Sequence, residues 1–228
     1  VGGDDYSLQW GSRALDGGQD ASGLGVLVDY DGVTRELGAG WDMGAFETWG
    51  VDPDCGAGGP YCATTCPVYV DASVLPGGDG GIGSPYPNIA YAMTYGDGCL
   101  DILLEPGSYD ENVDFGVSDF TLGSTAGAAA TTLTSSTGGT LIRIAGGQTS
   151  SSMVSGLTLT GGAAADGAGL YISSASPTVV DNIIDGNDAT SRGGGVYGSV
   201  YGGLFDNNVV SNNTAGVDGG GLDLRTST

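Results

Sequence analysis

From Val68 onward, apolar residues come in short groups parted by runs of glycine, asparagine, serine and threonine. Ile183-Ile184 and Val209-Val210 are such groups, and Ile142-Arg143-Ile144 alternates apolar with polar. Groups this short suit strands of a few residues, and no helical period runs through them. They also recur. Residues 181–198 read DNIIDGNDATSRGGGVYG, and 26 residues later residues 207–224 read NNVVSNNTAGVDGGGLDL. Gly193-Gly194-Gly195 falls on Gly219-Gly220-Gly221, Asn187 on Asn213, Ala189 on Ala215 and Val196 on Leu222. A looser copy, GLTLTGGAAADGAGLYI at residues 156–172, is offset by 25 at its front and 26 at its glycines. A period in this range marks a solenoid, whose repeats bury their apolar faces only against their neighbours. Glycine and asparagine supply the positive-φ corners that each coil needs. The expected fold is all-β, a parallel β-helix over residues 68–228 with coils of about 22–26 residues.

In chain order, Val68–Asp71 is the first strand, and residues 88–95 are a short amphipathic helix with Ile89, Ala92 and Met93 on one face. Pro87 stands just ahead of it as a start signal. Residues 99–115 are read as the first full coil, with a turn at Glu105-Pro106-Gly107. Phe120–Leu122 with Thr131–Leu133 make the second, and 141–144 with 153–159 the third. Residues 170–172 with 179–184, and 196–197 with 205–210, give two more, and Leu222-Asp223-Leu224 begins another that stops in mid-coil. A coil left open there exposes backbone N–H and C=O groups and an apolar cross-section.

Residues 1–47 carry three pieces: Ser12-Arg-Ala-Leu-Asp-Gly17, Asp29-Tyr-Asp-Gly-Val-Thr-Arg35 and Asp42-Met-Gly-Ala-Phe-Glu47. They resemble the closing segment of β-helical surface proteins, which runs roughly SPAIDAG, DxDGxxR, DxGAxE; Arg13 stands where that pattern has proline. Residues 48–67, rich in Gly, Pro and Asp, read as a linker. Residues 68–115 resemble the opening of right-handed parallel β-helices, in which a short helix plugs the first coil. As a whole the chain resembles bacterial polymorphic outer-membrane proteins and related adhesin-like surface proteins. That resemblance implies right-handed coiling, a secreted or cell-surface location and a structural or adhesive role. A closing segment placed ahead of an open coil implies one of two arrangements. Copies join head to tail, with Leu8, Ala14 and Leu15 of one meeting Leu222 and Leu224 of the next, or adjacent β-helix modules follow one another in a longer tandem protein.

Composition narrows the partners. The 228 residues include 27 acidic and five basic ones, all five arginine, for a net charge of −22 with no histidine. Phosphate contacts need a basic face, so nucleic acid is excluded, as is an anionic membrane surface. No apolar run approaches the length of a membrane span. Cys55, Cys62, Cys66 and Cys99 lack the paired spacings and histidines of a zinc site. Two disulfides of an oxidising compartment fit better, tying the 55–66 loop to itself and to Cys99; the sequence alone permits three connectivities.

Candidate chemistry is thin. A uronate lyase of this architecture needs basic residues, and the coils offer only Arg143, read as solvent-facing, and Arg192, read as sitting in a corner loop. A hydrolase needs clustered carboxylates; Asp181, Asp185, Asp188 and Asp206 are dense, but Asp185 and Asp188 become Ser211 and Thr214 one coil later. No catalytic residue is therefore assigned. Asn182 with Asn208, and Asn187 with Asn213, fall on matching positions where stacked amides can bond along the axis. Asp29, Asp31 and Asp79 are the nearest approach to Ca²⁺ ligands, without a repeated loop motif, and no cofactor is expected otherwise. Asn212-Asn213-Thr214 is a glycosylation sequon. The expected function is a structural, non-catalytic extracellular protein, a filament subunit or adhesin. The alternative is a protein that binds or cleaves carbohydrate, with surface glycans as partners and Tyr171, Tyr197 and Tyr201 as the only hint of an aromatic row.

Overall fold

The chain divides into two compact units, Val1–Thr64 and Thr65–Thr228. The computed structural model describes residues 66–96 and 99–225, all within the second. The expectations attached to residues 1–47, to the linker before Cys66 and to Cys55 and Cys62 lie outside the described residues.

The second unit is a parallel β-solenoid of about five turns. One wall stacks β1 (Val68–Val70), β2 (Asp101–Leu104), β5 (Thr121–Ser124), β8 (Met153–Ser155), β12 (Thr178–Val180) and β16 (Leu204–Asp206). A second stacks β3 (Gly107–Asp110), β6 (Thr131–Thr134), β9 (Thr158–Thr160), β13 (Ile183–Asp185) and β17 (Val209–Ser211). The third stacks β4 (Val113–Asp114), β7 (Ile142–Ile144), β11 (Leu170–Ser173), β15 (Val196–Ser199) and β19 (Leu222–Arg225). Between the second and third walls the later coils add β10 (Ala163–Asp166), β14 (Asp188–Arg192) and β18 (Thr214–Ala215). Every pair of neighbours within these walls is parallel, as a coil that returns to the same wall once per turn requires.

Register follows the repeat. Thr178 lies beside Leu204, Ile183 beside Val209, Asp188 beside Thr214 and Val196 beside Leu222, each 26 residues on. Earlier coils are less regular: Asp101 pairs with Thr121, 20 residues on, and Thr121 with Met153, 32 on. The corner loops absorb these differences, so coil length spreads beyond the expected range while the walls stay aligned. The coils are also divided differently. Leu141 and β7 complete the second coil instead of opening the third, and Leu170–Ser173 likewise completes the coil that β8 begins.

Each wall turns one or two residues per strand inward, two in strands such as β2, β6, β7 and β11. Val154, Leu159, Leu170, Val179, Ile184 and Val196 are fully buried, each contributing about 2 kcal/mol of apolar burial. The helix, α1 (Ile89–Tyr95), has Asn88 as its N-cap, whose Oδ1 accepts from Tyr91 N–H at 2.7 Å. The Glu111 carboxylate accepts from the N–H groups of Ile89 and Ala90, both at 2.9 Å. Ile89 and Ala92 are buried, and Met93 is half-buried. Cys66 and Cys99 form a disulfide beside this segment, the sixty-sixth residue reaching one of its expected partners.

Candidate functional site

The last coil differs from those beneath it. Among the described residues, β16, β17, β18 and β19 are each the final strand of their wall. Leu222 and Leu224 are 37% and 42% exposed, whereas Val196, which Leu222 covers, is 0% exposed. Leu224 folds back over Gly198: a Cβ at Gly198 would lie 2.7 Å from Leu224 Cδ2. Leu204, Val209 and Val217 are exposed as well. This is an apolar, strand-edged surface, the kind that accepts further strands. Leu8, Ala14 and Leu15, expected to meet it, lie outside the described residues.

Two columns of asparagine run up to this edge. Each amide follows a corner residue in the left-handed region: Asp181 (φ 60°) precedes Asn182, Asn207 (φ 49°) precedes Asn208, and Asn212 (φ 51°) precedes Asn213. In the first column Asn182 Oδ1 accepts Leu157 N–H at 3.0 Å, and Asn208 Oδ1 accepts Asn182 N–H at 2.9 Å. In the second, Asn187 Oδ1 accepts Gly162 N–H and Asn213 Oδ1 accepts Asn187 N–H, both at 2.9 Å. The Nδ2 groups point back down the stack: Asn182 and Asn187 donate to Val154 O and Leu159 O at 3.0 Å, Asn208 and Asn213 to Val179 O and Ile184 O at 2.8 Å. Amide to amide, Asn182 Nδ2 donates to Asn208 Oδ1 and Asn187 Nδ2 to Asn213 Oδ1, both at 3.0 Å. Each amide thus satisfies a corner N–H that the walls leave unpaired, which burial would otherwise make costly.

The triple glycines exist for the second column. A Cβ at Gly195 would stand 2.8 Å from Asn213 Nδ2 and 2.6 Å from Gly221 O, and one at Gly194 would stand 2.0 Å from Thr214 O. The coils approach here at backbone distance, and no side chain fits.

The candidate catalytic groups are spread along the outside, engaged with the next coil. Asp185 Oδ1 accepts from Ser211 Oγ and Asn212 Nδ2, both at 2.7 Å, and these bonds hold its carboxyl below the usual range. A general acid needs the opposite shift. Asp181 accepts from Asn207 and Asp188 from Thr214, again one coil on, and Asp206 is exposed. Asp79 Oδ1 accepts from Gly81 N–H at 2.9 Å, closing a turn; among the described residues no three His, Cys, Asp or Glu side chains come together as a metal site. Asp29 and Asp31 lie outside them. Asn212 of the sequon is exposed on its corner.

Both arginines are more engaged than a solvated surface reading implies. Arg192 lies in β14 and not in a corner loop, because Ala189 turns inward and Arg192 outward along one strand. Its Nε and Nη2 each reach Asp166 at 3.0 Å, a bidentate pair that lowers the Asp166 pKa and raises that of Arg192. Arg143 is exposed but stands 3.4 Å from Asp114, and its guanidinium lies 5.1 Å above the Tyr171 ring. Tyr171 stacks on Tyr197 at 5.3 Å, and Arg192 lies 4.8 Å from the Tyr197 ring centre. The third wall therefore carries an outward row of Asp114, Arg143, Tyr171, Tyr197 and Asp223, in register on successive coils. The aromatic pair does not extend, since Asp223 replaces a third tyrosine. Its rings are spent on each other and on the two guanidinium groups, leaving Tyr197 6% exposed and no open ring face for a sugar. Tyr201 is away from this row, with its hydroxyl buried and without a hydrogen-bond partner.

Asp166 escapes sequence reasoning because its partner lies 26 residues away in a strand with only one apolar side chain. The inverse pairing of Asp166 with Arg192 at the same repeat position is the signal that identifies it. Comparison of the chain with protein-family models, with curated proteins and with solved structures yields no match.

Proposed function

We propose that this is a structural, non-catalytic extracellular protein whose solenoid is extended end to end through the edge formed by β16–β19. The observation that carries the reading is the exposure of Leu222 and Leu224 on the last described strand of a wall whose inward residues on the preceding strands, Val113, Ile142, Leu170 and Val196, are buried. Covering that edge with another coil, from a second copy or an adjacent module, buries apolar surface and pairs a row of backbone groups at once. A head-to-tail contact of this kind is heterologous and builds a filament unless its rotation closes a ring. The likeness of the chain to polymorphic outer-membrane and adhesin-like surface proteins, and the disulfide between Cys66 and Cys99, favour a secreted or cell-surface setting. In the same reading α1 closes the opposite end, which makes the two ends different and the growth one-directional.

The test is imaging and sedimentation of native material, with Leu222→Asp and Leu224→Asp in parallel. End-joined particles that lengthen with concentration, and that the two variants reduce to single units, are expected. Salt strengthens the joining, because a net charge of −22 repels neighbouring copies. Monodisperse single particles at every concentration and salt level overturn the proposal.

A further inference from the structure

The two asparagine columns specify what the edge accepts. Each column is a chain of donations in one direction: Leu157 N–H to Asn182 and Asn182 N–H to Asn208; Gly162 N–H to Asn187 and Asn187 N–H to Asn213. Among the described residues, no group accepts from the N–H of Asn208 or of Asn213. Both columns therefore end on the same coil with the same unmet donor. Below them, Asn208 Nδ2 and Asn213 Nδ2 each donate to a carbonyl 29 residues back; at the same offset an incoming amide would find Phe205 O and Val210 O.

We infer that the β16–β19 edge is a binding site for a β-coil bearing side-chain amides at two positions five residues apart, each preceded by a residue able to adopt positive φ. The incoming Oδ1 atoms take the N–H groups of Asn208 and Asn213, and the incoming Nδ2 atoms donate to Phe205 O and Val210 O. Apolar strand residues of the same coil cover Leu222 and Leu224. This deepens the end-joining reading and rests on it, since it names the chemistry of the joining coil. It also discriminates between occupants. Laid on residues 181–187, the closing-type sequence of residues 12–18 puts Arg13 and Gly18 at the amide positions, and neither side chain can accept an N–H. Asn207-Asn208-Val-Val-Ser-Asn212-Asn213 has the complete pattern, so a coil like the chain's own last one fits and the closing-type segment does not.

The full chain with a duplicate of residues 203–228 appended tests this, because the duplicate continues the 26-residue register. Two companion chains carry the same appendage with Asn208→Ala and Asn213→Ala in the duplicate alone, or with residues 8–33 in its place, which puts Arg13 and Gly18 at the amide positions. Amide hydrogen exchange is read at the original Asn208 and Asn213 and along the original β19. With the intact duplicate, both asparagine amides slow by about tenfold or more relative to the unextended chain. With the alanine duplicate β19 still slows, but those two amides do not; with residues 8–33 they stay fast as well. Equal protection of the two amides by the intact and alanine duplicates overturns the inference and leaves end-joining standing. No protection of β19 by any appendage overturns both.

Discussion

Asn187→Ala gives the sharpest test of how the solenoid is held together. Asn187 is 1% exposed and makes bonds in three directions: Oδ1 to Gly162 N–H at 2.9 Å, Nδ2 to Leu159 O at 3.0 Å, and Nδ2 to Asn213 Oδ1 at 3.0 Å. Truncation leaves the buried Gly162 N–H without a partner, a penalty of about 1–3 kcal/mol. The loss of the bond to Leu159 O adds about 1 kcal/mol. Nothing collapses into the gap, because the facing residue is Gly169, whose missing Cβ would lie 3.0 Å from Asn187 Nδ2. The sum is about 3 kcal/mol of lost stability. Asn213→Ala, in the half-buried last coil where water reaches the freed groups, should cost about 1 kcal/mol. Urea unfolding followed by circular dichroism measures both. Because stacked coils can unfold piecemeal, hydrogen exchange at Gly162 locates the damage. Equal costs for the two variants, or an unchanged Gly162 exchange rate in Asn187→Ala, refute the account.

Cys99→Ser opens the 33-residue loop closed by Cys66, and on loop-entropy grounds should lower stability by about 3–4 kcal/mol; reduction of the native protein should reproduce the loss. An unchanged urea midpoint after reduction contradicts it. Stability should also fall at both extremes of pH. The carboxyls of Asp119, Asp166 and Asp185 are held below their usual range by hydrogen bonds, those of Asp119 from Thr149 and Ser152. Their contribution is full above the ordinary carboxylate pKa of about 4 and disappears as pH drops through the lower folded values. Burial pushes the hydroxyls of Tyr109 and Tyr201 up to about 12, so their contribution is full below the ordinary tyrosine pKa of about 10 and is lost as pH rises toward 12. Urea midpoints across pH, with Asp119→Asn flattening the acid limb and Tyr109→Phe the alkaline one, check both slopes.

The regular part of this fold is written plainly in the chain, and the irregular part is not. From residue 156 onward, left-handed corners, amides and glycines recur at 25 or 26 residues, and the structure places them in columns. The first coils carry no such spacing. β3 is hidden because Pro106-Gly107 looks like a turn and its inward face is one residue, Tyr109, whose hydroxyl donates to the carbonyls of Val70 and Glu105. β14 is hidden for a similar reason: Ala189 is its only apolar inward residue, and the glycines after Arg192 suggest a bend that comes only afterwards. The asparagine positions are legible as a pattern. Their direction is not, because which way an amide donates depends on which neighbouring backbone groups the walls have left unpaired.

The bonds from Glu111 to the first two free N–H groups of α1 carry a consequence for the order in which the molecule forms. Seven residues of helix do not persist in water unaided. The carboxylate that terminates this helix belongs to β3's corner, 22 residues downstream of Ile89, and the sulfur that ties down Cys66 is 33 residues downstream of it. During synthesis, then, residues 66–95 emerge well before the groups that secure them. The segment before the first coil is therefore secured only once that coil supplies Glu111 and Cys99.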